Sequence, residues 1–532
     1  MKKKVHPILP DPDRRTFLRY ASFSLAGLAV GGFPGLCLAT RQDELHIRNY
    51  MDVSTFDPLS SVSGAEGIVY GAIYQNLLKF KSDGSWGTRP DAAESVRQTD
   101  PTHYDFRLKP RQMFNNGFGE MTADDVKFSF ERTIDPAMKS PNLPDMGPLS
   151  HVEVHDRYTG TFVLRSPYAA FTSIALAGPN GAILSRKAVT AIGGRFTSSP
   201  PCGSGPYQFK SWQAQRKTVL ERNPLWVGRA APFAEIHVYA MTDDKAAEMA
   251  YEAGQLDCAQ ISVETVGPFE RHPPPDSSLR VLPSGRNFWL GMNQENPALK
   301  DIRIRRAIQY AVDIEAVLEA AWFGLAPVST GPIPAGMTGH REKALIPPKG
   351  DPERARALLR EAGVSLPLRL RLDVPSRARD LTAAQVIQWS LKKVGIEVEI
   401  RAQDNSTFIT LGREELGDQW RDLQLFLEDF VGMADPHYSM TWFISAQMGI
   451  WNWERFSNAE FDQLNDRALA TVDEAERSRF YQRMQDLMEE SGCYRFLTNG
   501  VMPEIIRNSI EPSFRPDGYA QLREFRPANG VA

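Results

Sequence analysis

The stretch that decides the fold reads LRLRLDV at 368–374, LTAAQVIQWSLKKVG at 381–395 and IEVEIRAQ at 396–403. The first and third segments alternate apolar and polar residues, as strands do, and the middle one carries apolar residues at helical spacing. A strand, a helix and a strand in this order form a βαβ unit, whose strands are parallel and whose connection is right-handed. The sequence therefore predicts an α/β domain here.

Further helices flank this unit on both sides. DIRIRRAIQYAVDIEAVLEAAWFG contains two consecutive helices with Asp301 and Asp313 as N-caps, and DPERARALLREAG contains a third that Gly363 closes. Residues 461–490 are also predicted to be helical. The second half of the chain is therefore expected to be rich in helices packed on a sheet.

The first half has more strand patterns. ELHIRNY, HVEVHD and TFVLRSP indicate strands, and apolar residues at helical spacing predict a helix in GIVYGAIYQNLLKF at 67–80. Thr122 is a predicted N-cap, with Asp125 three residues later as its capping-box partner. The Gly- and Pro-rich segment at 198–209 predicts a crossing between domains.

Residues 1–39 have the pattern of an export signal. A basic start precedes a moderately apolar run rich in Gly and Ala, with cleavage expected near Ala39. Arg14 and Arg15, followed by Thr-Phe-Leu, match the twin-arginine pattern, an address for export of folded proteins. The alternative is an ordinary secretory signal that happens to contain two arginines. Cys37 lacks the preceding residues of a lipidation site.

Charge and cysteine content narrow the class of protein. Removing 1–39 takes six Lys/Arg from 61 and two Asp/Glu from 65, leaving a net charge of −8. Nucleic acid is then a poor partner, and a soluble periplasmic protein is expected because no second apolar stretch reaches membrane-spanning length. Cys202, Cys258 and Cys493 allow at most one internal disulfide, whose pairing stays open. The simplest reading is three buried thiols.

Motifs for catalysis, metal binding or cofactor binding are weak in this sequence. In the strand HVEVH, His151 and His155 would lie about 13 Å apart, too far to share one ion. GSGPY lacks the spacing of a phosphate-binding loop and indicates a turn. There is no GxSxG, CxxC or HExxH motif. The sequence predicts no catalytic group, metal or cofactor.

LFLEDFVGMADPHY at 425–438 combines three carboxylates with aromatic residues. Glu428 and Asp429 are adjacent, so in an extended segment they point to opposite sides and cannot form a glycosidase pair. Asp435, followed by Pro, indicates a turn or a helix start. From the residues alone, Asp429 is more simply a surface carboxylate than a functional one.

Ten motifs in order resemble the family 5 extracellular solute-binding proteins. These are periplasmic receptors of ABC importers for dipeptides and oligopeptides and, in some branches, nickel, heme, opines or oligosaccharides. The motifs are DVSTFDP, IYQNLLKF, RPDAAESV, YDFRLKPRQMFNNG, MTADDVKFSFER, CGSGPYQF, LERNPLW, DIRIRRAIQYAVD, EDFVGMADP and FSNAEFDQL. The resemblance covers nearly all of the chain that follows the signal.

The resemblance implies an α/β, two-lobed periplasmic binding protein, class II-like and of cluster C, with an extra domain. Domain I would comprise 40–75, 200–280 and 495–532, domain II the β-rich segment 76–199, and domain III the second α/β lobe at 281–494. The lobes would close around the ligand. The expected partners are a peptide or another small solute and the ABC permease, and the mature protein is expected to be a monomer without catalysis of its own.

The resemblance also implies a binding site. Two extended segments would pair with the ligand main chain, as an added strand does, and one acid would hold the peptide α-ammonium. The implied ligand-binding residues are Val62, Ser63, Gly64, Leu425, Phe426, Leu427 and Asp429, the last being the acid. Glu428 would face outward. Two alternatives stay open: the same fold with a metal chelate, opine or oligosaccharide as ligand, and an exported hydrolase or redox enzyme.

Overall fold

The structure, a computed structural model, describes residues 43–432 and 434–528. The predicted signal peptide, 1–39, lies outside the described residues. Within the described ranges, no helix combines the length and the apolar character needed to cross a membrane.

The described chain contains 22 strands and 13 α-helices. The strands are β1 (Glu44–Asn49), β2 (Leu78–Phe80), β3 (Thr88–Pro90), β4 (Ala93–Asp100), β5 (His103–Leu108), β6 (Met113–Phe114), β7 (Gly119–Glu120), β8 (Leu149–Val154), β9 (Thr159–Leu164), β10 (Tyr207–Gln213), β11 (Lys217–Arg222), β12 (Glu235–Ala240), β13 (Cys258–Gln260), β14 (Ser277–Pro283), β15 (Arg286–Met292), β16 (Leu368–Pro375), β17 (Ile396–Gln403), β18 (Leu425–Val431), β19 (Tyr494–Thr498), β20 (Val501–Arg507), β21 (Ile510–Glu511) and β22 (Arg526–Pro527). The helices are α1 (Gly64–Ile73), α2 (Ala123–Ile134), α3 (Arg186–Ala191), α4 (Asp244–Glu252), α5 (Val263–Arg271), α6 (Ile302–Ala311), α7 (Ile314–Trp322), α8 (Pro352–Ala362), α9 (Ala378–Lys392), α10 (Asn405–Phe408), α11 (Pro436–Met440), α12 (Ala459–Ala470) and α13 (Glu474–Glu490).

A seven-stranded sheet has the order β10-β11-β12-β1-β13-β20-β14. Its central strand β1 is parallel to β12 and β13, whereas β20 is antiparallel to both β13 and β14. Leu45 and Ile47 of β1 point to one side, into a core that α1 and the C-terminal segment complete. The sheet therefore joins segments from both ends of the described chain.

A five-stranded sheet has the order β17-β16-β18-β15-β19. Strands β16 and β17 are parallel and joined by α9, which confirms the predicted βαβ unit. Asp301 and Asp313 cap α6 and α7, and Gly363 ends α8 in a left-handed conformation, as predicted. One apolar cluster, which includes α6 to α9, covers one face of this sheet, and a second, which includes α12 and α13, covers the other.

A four-stranded antiparallel sheet, β4-β5-β9-β8, forms the β-rich part. HVEVHD and TFVLRSP fall on β8 and β9, which confirms these strand predictions. Thr122 and Asp125 form the predicted capping box at the start of α2, with Thr122 N donating to Asp125 Oδ2 at 2.9 Å. This box positions α2 against β8.

The helix predicted at 67–80 is wrong at both ends. Helix α1 begins at Gly64 and ends at Ile73, and Leu78–Phe80 is a strand paired with β3. The helix starts early because Glu66 accepts the N–H of Ser63 at 2.9 Å and completes a capping box. Pairing with β3 then outweighs the helical spacing of Leu77 and Leu78, because tertiary contacts override a short periodic signal.

The three cysteines of the described chain, Cys202, Cys258 and Cys493, are all free and buried. Burial raises the pKa of Cys202 to about 12 and that of Cys493 to about 11. These thiols are therefore protonated at neutral pH and poorly nucleophilic.

Candidate ligand-binding site

A cavity of about 670 Å³ lies where the three sheet regions meet. Its walls come from segments 61–74, 141–145, 173–180, 431–432, 434–442 and 515–524, together with side chains between them. A volume of this size falls within the range of about 300–1,000 Å³ found for small-ligand pockets. Because no single segment builds the cavity, its shape depends on how the sheet regions are held together.

Val62, Ser63 and Gly64 line this cavity. Ser63 is extended and is the N-cap of α1, whereas Gly64 is already the first residue of the helix. A Cβ at Gly64 would lie 2.8 Å from the ring of Tyr519, so only glycine permits this close approach. The predicted extended segment therefore reaches the cavity, but it ends at Ser63.

Leu425, Phe426 and Leu427 are not among the residues that line the cavity, and their role in ligand binding stays a prediction. All three are buried, and Leu425 and Phe426 pair with β16 on one side and β15 on the other. A backbone paired on both sides has no free edge to offer a ligand strand. Strand β18 reaches the cavity only at its end, with Val431 and Gly432.

Asp429 lies behind the cavity wall. Arg377 Nη2 contacts its Oδ1 at 2.8 Å, and Arg286 donates to its Oδ2. Burial opposes its ionisation, but the two guanidinium groups outweigh burial and lower the pKa of Asp429. The carboxylate is thus already paired with cations, and it meets the cavity through Arg286, which does line it.

The prediction that Glu428 faces outward is wrong. The two residues do point to opposite faces of β18, but Glu428 is 8% exposed because both faces of the five-stranded sheet are covered. Burial, then the charges of Asp429 and Glu454, raise the pKa of Glu428 well above its usual range. The surroundings of Glu428 therefore disfavour its charged form.

The group around Asp429 has an excess of positive charge. Arg286, Arg377 and Arg379 face two carboxylates, Asp429 and Asp380, with Arg379 Nη2 at 2.9 Å from Asp380 Oδ1. The side chain of Arg286 is 40% exposed. Its guanidinium can therefore accept an anionic ligand group on its cavity side while Asp429 holds it from behind.

Most other charges of the cavity wall are paired with each other. Arg523 contacts both oxygens of Asp91 at 2.9 Å, and Lys79 contacts Glu524 at 2.8 Å. Arg515 and Asp517 form a further pair. These side chains are fixed by their partners and shape the wall.

Asp145 is different. It lies in a short turn, Leu143–Met146, and accepts a hydrogen bond from Asn180 Nδ2 at 2.7 Å. Among the described residues, no Lys, Arg or His lies within ion-pair distance of its carboxylate. Burial raises the pKa of Asp145, which the Asn180 bond only partly offsets.

Aromatic rings lie on the same part of the wall. The charge of Asp145 contributes to the raised pKa of Tyr438, although burial of the phenol is the larger cause. The ring of Tyr438 stands edge-on to that of Trp442, with 5.2 Å between ring centroids. An unpaired carboxylate beside aromatic faces is suited to bind a cationic group.

Local sequence patterns do not mark Asp145, Arg286 or the segment 515–524 as parts of a site. Asp145 sits in a Pro- and Asn-rich loop that looks like an ordinary turn, and Arg286 begins a strand after a Gly. Their meeting depends on contacts between distant parts of the chain, which local patterns do not encode.

The fold and the cavity between its sheet regions define a two-lobed periplasmic binding protein. The chain resembles solved structures of this class, among them the ABC transporter substrate-binding protein CtaP from Listeria monocytogenes, with a TM-score of 0.80 and 19% identity over 91% of this chain and 99% of that one. The periplasmic protein DppA from Helicobacter pylori, in complex with the peptide STSA, has a TM-score of 0.74 and 22% identity over 91% and 98%.

Sequence comparison gives the family. The family model described as "Bacterial extracellular solute-binding proteins, family 5 Middle" matches residues 87–449. The chain belongs to this family. The probable D,D-dipeptide-binding periplasmic protein DdpA of Escherichia coli is 29% identical over 89% of this chain and 92% of its own length. Di/tripeptide-binding protein 2 of Pseudomonas aeruginosa is 28% identical over 86% and 89%.

Proposed function

We propose that this protein is the periplasmic substrate-binding protein of an ABC importer and that it captures short peptides in the 670 Å³ cavity. The family and the peptide-binding names of the two relatives support this assignment. The observation that carries it is a wall that offers one exposed guanidinium and one unpaired carboxylate in a partly aromatic cavity. Peptide delivery to the permease needs no catalysis by this chain.

The two charged groups are opposite in sign to the two ends of a free peptide. Arg286 would bind the α-carboxylate, with Asp429 as a positioning residue that holds the guanidinium from behind. Asp145 would bind the α-ammonium, with the rings of Tyr438 and Trp442 beside it. Val62 and Ser63 would contact the peptide from the α1 side. In this proposal Asp145, in place of Asp429, is the acid that holds the peptide α-ammonium.

Asp145→Asn tests this assignment. The ligand is a di- or tripeptide selected by native mass spectrometry. We expect the variant to bind it about 30- to several-thousand-fold more weakly, because removing the charged partner of a desolvated ammonium costs about 2–5 kcal/mol of binding free energy. Isothermal titration calorimetry measures the difference. Folding should be unaffected, because a raised pKa means that the charged form of Asp145 does not stabilise the folded state at neutral pH.

Two controls make the test specific. Asp156→Asn changes an exposed carboxylate that accepts local hydrogen bonds from Tyr158 and Thr159, and it should leave affinity unchanged. An N-acetylated peptide, which lacks the ammonium, should bind the wild type weakly, and acetylation should cost Asp145→Asn nothing further. Equal losses on acetylation in both proteins would overturn the Asp145 assignment. Failure of every peptide to bind would favour a metal chelate, opine or oligosaccharide as ligand.

We also propose the domain organisation and the route of export. Strands β14 and β19 run across the limits first expected at 280 and 494, so the crossings are better placed at 284–285 and 499–500. The 76–199 segment, which holds the four-stranded sheet, would be the extra domain.

Export by the twin-arginine route rests on Arg14 and Arg15, and a monomer is expected in the periplasm.

A further inference from the structure

Two short patterns of the same kind meet on the seven-stranded sheet. Glu44-Leu-His46 lies on β1 and Glu235-Ile-His237 lies on β12. The strands are parallel and in register, so Glu44 pairs with Glu235 and His46 pairs with His237. Because side chains alternate along a strand, all four polar side chains project from one face.

The opposite face explains why the register is fixed. Leu45, Ile47, Ile236 and Val238 alternate with the polar residues and are buried in the core. A slip of either strand by one residue would turn its Glu-His pair toward the core and its apolar side chains away from it. The core thus holds the two pairs opposite each other.

We propose that these two Glu-x-His pairs form a binding site for a divalent transition-metal ion of the zinc type. His46 Nε2 lies 3.0 Å from Glu44 Oε2, and His237 Nε2 lies 3.8 Å from the same oxygen. His237 Nε2 also lies 3.1 Å from Glu235 Oε2. One ligand atom from each of Glu44, His46 and His237 falls within 4.8 Å of the others.

These separations are close to those that a zinc ion needs. Bonds of about 2.0–2.2 Å in a tetrahedral site place ligand atoms about 3.3–3.6 Å apart. The His46 and His237 rings are stacked, with 4.5 Å between centroids, so a modest tilt would bring both Nε2 atoms to one ion. Imidazole and carboxylate together suit Zn²⁺, Ni²⁺ or Cu²⁺ better than Mg²⁺ or Ca²⁺.

Outer contacts would orient the ligands. Tyr239 Oη lies 3.1 Å from His46 Nδ1 and can accept the ring proton once Nε2 binds metal. Lys210 holds the other oxygen of Glu235, which leaves Oε2 turned toward His237. Lys217 Nζ lies 3.4 Å from His237 Nδ1, which would carry the ring proton once Nε2 binds the metal. Lys217 would then have to turn away, so binding requires a local rearrangement.

The site is separate from the peptide cavity. None of the four residues lines that cavity, and the inference does not depend on the proposed peptide transport. The chain also offers a matched control. His151 and Glu153 on β8 form one exposed pair at 3.4 Å with no second His-Glu pair described beside them.

The test uses the mature protein without a histidine tag, stripped with EDTA and titrated with Zn²⁺ by calorimetry at fixed pH. We expect one ion per chain for the wild type and for His151→Gln. His46→Gln and His237→Gln should each bind more than about 100-fold more weakly, because losing a ligand costs more than the about 10- to 100-fold lost with an outer-shell partner. Tyr239→Phe should fall within that smaller range.

Metal content by mass spectrometry and the unfolding temperature give independent readouts. Zn²⁺ should raise the unfolding temperature of the wild type and of His151→Gln, but not of His237→Gln. Circular dichroism in EDTA checks that each variant is folded, and peptide binding should be unchanged. Equal Zn²⁺ affinity in the wild type and His237→Gln, or no saturable binding in the wild type, would overturn the proposal.

Discussion

Buried carboxyl groups in this protein are of two kinds, distinguished by the presence of a neighbouring cation. Asp57, for example, receives a bidentate contact from Arg132, at 2.8 and 2.5 Å. Glu454 and Glu504 have no such partner among the described residues: Trp289 donates to Glu454 at 2.6 Å, and Glu504 lies 3.5 Å from the Cys258 thiol. Burial raises the pKa of both glutamic acids to about 8. They are therefore largely protonated in the folded protein at neutral pH.

These two groups should make stability fall as pH rises. The unfolded chain loses their protons near pH 4.5, whereas the folded chain keeps them until about pH 8, so the unfolded state gains between these values. We expect a loss of up to about 1.4 kcal/mol per pH unit for each group. Above pH 8 their contribution is constant.

Thermal unfolding at pH 5, 6, 7 and 8 measures this effect. Glu454→Gln and Glu504→Gln should each flatten the pH profile and raise the unfolding temperature at pH 8 relative to the wild type. Glu415→Gln, which changes an exposed side chain, serves as the control. Parallel profiles for the wild type and both buried-site variants would contradict the expectation.

At the scale of elements, the short helix α11 shows how a wall segment is held. Asp435 is its N-cap, accepts the N–H of His437 at 2.9 Å and receives a bidentate contact from Arg477 of α13 at 2.6 and 3.1 Å. One side chain thus starts the helix and ties it to the longest helix of the described chain. The helix in turn carries Tyr438 to the cavity wall.

Asp435→Asn should destabilise the protein by about 3–5 kcal/mol, because it leaves the buried Arg477 without its charged partner. Urea or thermal unfolding measures the loss, and peptide affinity should fall with it because Tyr438 loses its support. Asp418→Asn removes an exposed pair with Arg421 and should cost no more than about 1 kcal/mol. Similar small effects from both variants would show that Asp435 does not anchor α11.

Elements with a local signal were predictable, whereas of the cavity wall only Val62, Ser63 and Gly64 were among the residues implied by the resemblance. Asp301, Asp313 and Thr122 cap their helices as expected because a capping side chain and the backbone N–H that donates to it lie within a few residues. The alternation of apolar and polar residues that predicts β16 and β17 likewise lies within each strand. The burial of Glu428 could not be predicted. Alternation along a strand indicates that neighbouring side chains point to opposite faces, but it does not indicate which faces the rest of the chain covers. Asp145 and Arg286 meet only through the tertiary fold.

On the scale of the whole molecule, two short crossings connect the seven-stranded sheet to the five-stranded sheet. The two crossings lie next to each other. Ser284–Gly285 links β14 to β15, and Asn499–Gly500 links β19 to β20. Ser284 Oγ donates to Asn499 O at 2.8 Å, which holds the crossings together. Gly500 has a φ of +70°, and a Cβ there would lie 2.6 Å from Ser284 Oγ. Two adjacent short crossings can act as a hinge.

Small-angle scattering should therefore show a smaller radius of gyration with saturating peptide than without it, because a ligand that contacts both lobes favours the closed arrangement. The N-acetylated peptide at the same concentration is the control, since without its ammonium it should leave the profile close to that of the free protein. Identical profiles with and without the cognate peptide would argue for a rigid body.

The strand order of the seven-stranded sheet also has a consequence for biosynthesis. Strand β20 inserts between β13 and β14, although it is the last of the seven to leave the ribosome. At about 5–20 residues per second, β13 and β14 wait many seconds with exposed edges after they are made. A product truncated before Val501 keeps those edges open, so quality-control proteases and aggregation have a ready target in every incomplete chain.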